Sequence, residues 1–224
     1  MTFNLTLNSI LNNEEIQTYL DFTDEIFSGI GYKEHGKSHA FYASERAGQV
    51  LKYLGYSEKE IELAKVAAYL HDIGNLISKT EHDQSGAIMF LNLIDEKYYN
   101  EDVFTVVTAI GNHEEKNSDP VSAVAAAVVL GDKTDVRNER LRDKDSDAAS
   151  YVDKHSRVIA ACKKVDLVVD KEKKMISLWI TIDTNICSVM DYFEIFLPRT
   201  KYCTRASRVL GCDFELYINK DKFL

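Results

Sequence analysis

Apolar residues recur at intervals of three and four through the first two thirds of the chain, and at intervals of two after that. Ile16, Tyr19, Leu20, Ile26 and Phe27 predict a helix over Glu14–Gly29. A second helix is predicted over Ser38–Leu54, closed by Gly55, the residue type that best tolerates the left-handed conformation just past a helix end. Ser57 with Glu60 three positions later is a capping box, opening a helix through Ile61, Ala64, Ala68 and Leu70. That helix stops at His71-Asp72-Ile73-Gly74. Further helices are expected at 83–94, 101–113 and 121–134, the last with Pro120 in its first turn. The mixed-charge stretch 138–147 reads as a solvated loop or frayed helix. Ala148, Tyr151, Val152, His155 and Ile159 mark one more helix after it.

The period then changes. Val165, Leu167 and Val169 alternate with Asp166 and Asp170, and Lys171–Lys174 supplies a polar turn. Ile176, Leu178, Ile180 and Ile182 alternate with Ser177, Trp179 and Thr181, so the two runs form a hairpin. A striped helix follows over Ser188–Leu210, with Pro198 expected to kink it and Gly211 to end it. Phe214, Leu216 and Ile218 predict a final strand. The fold class is therefore mainly α over residues 1–155, followed by a small α+β subdomain over 156–224. Its β-β-α-β order suits a three-stranded sheet with one helix on its face.

Composition agrees with this division. Only 2 prolines and 10 glycines occur in 224 residues, which favours long regular elements over a loop-rich sandwich. No apolar run reaches the ~20 residues of a membrane helix, and the N-terminus has no secretory pattern, so a cytoplasmic protein without a membrane partner is expected. The four cysteines form no Cys-x-x-Cys pair and read as small buried apolar residues. With 27 basic and 36 acidic side chains the net charge is -9, which argues against long nucleic acid as a partner. Residues 1–150 hold 14 basic and 26 acidic groups, net -12, and residues 151–224 hold 13 and 10, net +3.

Chemistry concentrates in the acidic, helical part. Of 6 histidines, His39, His71, His82 and His113 fall on or at the ends of predicted helices, and His71 is followed directly by Asp72. Asp132 ends the helix Val128-Val129-Leu130-Gly131. A hairpin of helices turning at Gly55–Ser57 brings His39 to His71. Imidazole with carboxylate is the donor set of Fe, Mn, Zn or Ni, and helices projecting such groups inward are a common way to build a metal site.

In this order (a His, a His-Asp doublet, two further histidines and a final Asp after an apolar helix) the sequence resembles the HD-domain superfamily of metal-dependent phosphohydrolases. The resemblance rests on His39, on Ala-Ala-Tyr-Leu-His71-Asp72-Ile-Gly, on His82 in His-Asp-Gln-Ser-Gly-Ala, on His113 in Gly-Asn-His-Glu-Glu, and on Leu-Gly-Asp132-Lys133, covering roughly residues 35–137. It implies an HD-type helical bundle with His39, His71, Asp72 and Asp132 on one metal. It also implies that Asp72 bridges to a second metal held by His82 and His113. One or two divalent ions are implied, of Fe, Mn, Zn or Ni, with Mg also conceivable. The implied reaction is cleavage of a phosphate ester of a nucleotide or similar small phosphorylated molecule by metal-activated water. Lys133 adjoins the final ligand and is expected, with Asp72, to take part in catalysis. Lys133, Arg137, Lys79 and Asn75 are expected to meet the substrate. Asn75 stands where many relatives carry a lysine, so it can hydrogen-bond a phosphate but not neutralise it. Two alternatives share the pattern: a di-iron oxygenase with the same ligand order, and a non-catalytic sensor of a phosphorylated ligand. His35, four residues before His39, is a weaker site candidate, and Glu114 a neighbour of the site. His155 and Trp179 read as structural. The tail's aromatic and apolar positions suit a homodimer contact.

Overall fold

In the computed structural model, which describes residues 5–29, 36–115, 119–141 and 153–224, the helices come first and most of the sheet last. His35, residues 142–147 of the mixed-charge stretch, and Ala148–Val152 of the helix expected after it lie outside the described residues. A short α1 (Leu7–Leu11), capped by Thr6, precedes α2 (Glu14–Gly29). α3 (Lys37–Leu54) ends on Gly55, whose φ of 85° is the expected left-handed position. Ser57 and Glu60 cap α4 (Glu58–Leu70) reciprocally. α5 (His82–Leu93), α6 (Glu101–Gly111) and α7 (Ala123–Lys133) follow. α7 begins later than expected: the Ser122 hydroxyl accepts from Ala125 N–H and caps the helix, leaving Pro120 outside it. A serine cap satisfies an amide that proline cannot, so the helix starts at the better cap.

α7 is the axis of the helical part. Every residue from Val124 to Lys133 is buried, and its apolar side chains face all round the helix. It packs against α3, α4, α6 and α9 (Val189–Val209). Small residues allow this closeness: Ala40, Ala43 and Ala47 line the inner face of α3, and Gly131 of α7 meets it there. A Cβ on Gly131 would sit 2.5 Å from the Ala43 carbonyl oxygen, so only glycine lets the two backbones approach.

Between α7 and the sheet lies α8 (Lys154–Ala161), which carries His155 against the Phe196 ring at 5.0 Å. β1 (Cys162–Asp170) and β2 (Met175–Ile182) form the expected antiparallel hairpin, with Leu167 opposite Leu178. β3 (Asp213–Ile218) runs parallel to β2, with Leu216 beside Leu178, and α9 is the crossover that parallel neighbours require. A two-residue β4 (Asp221–Lys222) adds a fourth strand, giving the order β1-β2-β3-β4 where three strands were expected. α9 continues through Pro198 as one helix of 21 residues. It touches α7 on one side and β3 on the other, so one cluster of buried apolar side chains runs through both parts of the chain. Trp179 stacks on its cross-strand partner Tyr217 at 3.8 Å with the rings parallel, a packing role within the sheet. All four cysteines are buried and free. No described helix is long and apolar enough to cross a membrane.

Candidate metal centre

Helix ends converge on one point. The C-terminal ends of α4, α6 and α7 deliver His71-Asp72, His113 and Asp132, while the first turns of α3 and α5 deliver His39 and His82. Three helix C-termini aimed at one place favour positive charge there. The approach of α5 depends on Gly74: a Cβ at that position would lie 2.0 Å from the His82 carbonyl oxygen. Beside it, the Gly131 contact brings Asp132 to His39.

All six expected ligands meet. His39 Nε2 lies 3.4 Å from Asp132 Oδ1 and 3.9 Å from Asp72 Oδ2. His71 Nε2 lies 3.4 Å from Asp72 Oδ2 and 3.6 Å from Asp132 Oδ1. On the far side of Asp72, Oδ1 is 3.1 Å from His82 Nε2, which is itself 3.0 Å from His113 Nε2. Three donor sets have ligand atoms within 4.8 Å of one another: His39-His71-Asp72, His71-His113-Asp132 and Asp72-His82-His113. Two donors about 2.0–2.2 Å from one cation, at a right or tetrahedral angle, stand about 3.0–3.5 Å apart, so most of these separations suit a shared metal. Five of the six groups are buried, and His82 is nearly so.

The protonation pattern points the same way. Burial alone would lower the His71 pKa, but the adjoining Asp72 and Asp132 carboxylates outweigh it and raise it to about 10. His113, one ring away at 4.9 Å, is pushed down to about 3 by burial and by the positive charge of His71, Lys133 and His82. Asp72 and Asp132 are held well below the usual carboxylate range against their burial, by His71 with His82 and by Lys133 with His71 respectively. His71 Nε2 is nonetheless buried without a hydrogen-bond partner of normal geometry. Two buried carboxylates facing these rings suit a cation, and the His/Asp donor set could hold a divalent metal.

Each ring is turned so that Nε2 faces this centre. His71 Nδ1 donates to the Ala68 carbonyl at 2.7 Å, His113 Nδ1 to Ile110 at 2.7 Å and His82 Nδ1 to Lys79 at 3.1 Å. A carbonyl only accepts, so Nδ1 carries a proton in each ring and Nε2 is the nitrogen left to face a metal, which takes the place of any proton there. His39 instead faces a carboxylate: Nδ1 donates to Asp135 Oδ2 at 2.9 Å.

The expected substrate contacts are placed differently from one another. Asn75 donates from Nδ2 to Asp72 Oδ1 at 2.8 Å and so holds the central carboxylate. Lys133 is buried, with its ammonium beside Glu114, Glu115 and Asp132; burial opposes its charge, but the three carboxylates outweigh this and raise its pKa. Arg137 is bound through Nε and Nη2 to both oxygens of Asp135 and stacks over the Tyr42 ring at 3.2 Å. Lys79 is exposed, and its carbonyl serves His82. Sequence patterning had not singled out Asp135, which is fully buried, or Arg199 of α9, whose charge acts on Lys133. A carboxylate three places beyond Asp132 and an arginine on a distant helix carry no local signature. Glu114 Oε1 comes to 3.8 Å from Nε2 of both His82 and His113.

Comparison with known proteins agrees with this geometry. An uncharacterized protein of the archaeon Methanocaldococcus jannaschii is 26% identical, with 74% of this chain and 72% of the relative aligned. The family model described as "HD domain" matches residues 37–194. That span runs past the 35–137 expected from the motifs, through the hairpin and into α9, in keeping with the packing of α9 on α7. The chain belongs to the HD domain family, within a superfamily of metal-dependent phosphohydrolases.

Proposed function

We propose that the chain hydrolyses a phosphate ester, that of a nucleotide or a comparably small phosphorylated molecule, using divalent cations on either side of Asp72. One observation carries this reading: the two oxygens of a single buried carboxylate face different histidine sets, Oδ2 toward His39 and His71 and Oδ1 toward His82. In it, His39, His71, Asp72 and Asp132 would hold one cation, and Asp72, His82 and His113 would hold the other. Such cations, when bound, polarise water and neutralise phosphoryl oxygens.

The chain's own groups do the rest. Asn75 keeps Asp72 Oδ1 in place. Lys133 pairs with Glu114 and Asp132, and its charge offsets the repulsion these carboxylates would exert on an incoming phosphate. Glu114 Oε1, a carboxylate outside the ligand set, is the group we assign to taking up a proton beside His82 and His113. Exposed Lys79, and Arg199, which makes no ion pair with another described residue, supply positive charge for the incoming phosphate. Arg137 acts through Asp135.

The test is turnover of aryl phosphate mono- and diesters and a panel of nucleotides by protein loaded in turn with Mn, Fe, Co, Ni, Zn and Mg. Hydrolysis of any of these that disappears in Asp72→Ala supports the reading. Full activity in Asp72→Ala contradicts it. Bound iron with a mixed-valent signal and no hydrolysis points to oxygen chemistry, and ligand binding without turnover under every metal points to a sensor.

A further inference from the structure

The four site histidines are not oriented in the same way. His71 and His113 sit at helix C-termini, where the last carbonyls have no intrahelical partner, and each donates from Nδ1 to the carbonyl three residues back. His82 opens α5 but reaches back to Lys79 in the preceding turn. His39 has no such choice. It is the third residue of α3, and helix N-termini present free amides, not free carbonyls. The carbonyl three residues before it, that of Gly36, already accepts from Ala40 N–H at 3.1 Å. An acceptor for His39 must come from elsewhere in the fold.

Asp135 supplies it. α7 ends at Lys133, and the turn that follows carries Asp135 three residues after Asp132, with the Asp135 amide bonded to the Asp132 carbonyl at 3.0 Å. One helix end thus provides both a metal-facing carboxylate and a second, fully buried one behind His39. Asp135 is fixed in turn: Arg137 Nε and Nη2 donate to its two oxygens at 2.7 and 3.1 Å, and Arg140 Nη1 donates to its main-chain carbonyl at 3.2 Å. Arg137 also stacks on Tyr42, one turn of α3 beyond His39, so the support returns to the helix it steadies.

We propose that Asp135 is a positioning residue that locks His39 with Nε2 toward the cluster and, through its negative charge, makes His39 the strongest imidazole donor of the four. This rests on the metal-site reading above. A carbonyl orients a ring; a carboxylate orients it and adds charge that a bound cation feels through the imidazole. The position held by His39, His71, Asp72 and Asp132 therefore binds its ion more tightly than the one held by Asp72, His82 and His113.

The probe is Co²⁺ titrated into the metal-free full-length chain and followed by visible absorption, with Asp135→Asn and Asp135→Ala beside the unaltered protein. Asparagine keeps the size and an acceptor oxygen but loses the charge; alanine loses both. The expected result is that the first Co²⁺ binds 10–100-fold more weakly in Asp135→Asn, and more weakly still in Asp135→Ala. The visible bands of the first ion should shift while the second binding phase moves little. Folded variants with first-ion affinity and spectrum like the unaltered protein overturn the proposal. Unaltered protein that takes up no Co²⁺ instead contradicts the metal-site reading itself. Should the variants not fold, ¹⁵N-histidine spectra of the unaltered zinc-loaded protein decide. One Nδ1–H proton, that of His39, should lie clearly downfield of the other three, and four equivalent ones overturn the assignment.

Discussion

The helical part and the C-terminal part bury different things. Among the described residues, the tail from 153 onward buries no Asp, Glu, Lys, Arg or His side chain; its buried side-chain oxygens are the hydroxyls of Ser156, Ser177, Thr200, Ser207, Tyr192 and Tyr202. The helical part buries His39, His71, Asp72, Asp83, His113, Asp132, Lys133, Asp135 and Arg140. Even when paired, ionisable groups taken out of water rarely stabilise a fold more than well-packed apolar ones would, so stability alone gives no reason to bury nine. The tail shows what this chain builds when only packing is at stake: alternating apolar strands, a stacked Trp179–Tyr217 pair and cysteines used as small hydrophobes. Buried charge of this kind gathers at functional sites, and here it surrounds the candidate metal centre.

Substitutions in the two parts should therefore fail in different ways. Asp72→Ala removes the one carboxylate shared by both histidine sets, and kcat/KM on any phosphate ester substrate should fall about a thousandfold or more. Metal analysis of the same variant should show the second ion lost. Gly131→Ala should cost about 1–3 kcal/mol in a denaturant titration, because the new methyl meets the Ala43 carbonyl. It should also weaken metal binding, since α7 carries Asp132. A third contrast concerns pH. In metal-free protein His71 has its pKa raised to about 10, above the ordinary 6.5, so its stabilising charge is fully present below pH 6.5 and is lost as pH climbs toward 10. His82, also raised once its bond to Asp72 outweighs burial, adds to the same trend. A metal-bound imidazole has no such proton to lose. The gap in Tm between metal-loaded and metal-free protein should thus widen from pH 7 to pH 9; a gap that narrows contradicts the assignment. The smallest effect is expected from Trp179→Ala. It removes about 0.5–1.5 kcal/mol of stacking, visible as a lower Tm, with metal content unchanged.

Much of this contrast was legible in the sequence, and the parts that were not have physical reasons. The period of three to four gave way to a period of two where helices give way to strands, and caps such as Ser57-Glu60 and Gly55 fall where the chain turns. The six ligand candidates stood out as histidines and aspartates at helix ends, and the resemblance to the HD-domain superfamily implied their role as ligands. β4 has two residues and α1 has five, too few for any period to register. Ser122 and Pro120 both suit a helix start, and only the packed fold decides between them. Lys133 illustrates a deeper limit. Beside Asp132 it reads as a phosphate contact, yet three carboxylates from two segments surround it, a fact of tertiary structure alone. Asp135 is the converse, an ordinary acidic residue in sequence that becomes the partner of His39 across 96 positions of chain.

The central claim, that Asp72 stands between two cation positions, is tested most directly by anomalous diffraction from crystals of protein loaded with Mn²⁺ or Zn²⁺. The account predicts two peaks flanking the Asp72 carboxylate, one within about 2.0–2.2 Å of His39, His71 and Asp132 donor atoms and one equally close to His82 and His113. Loaded crystals with no anomalous peak in contact with Asp72 would contradict it.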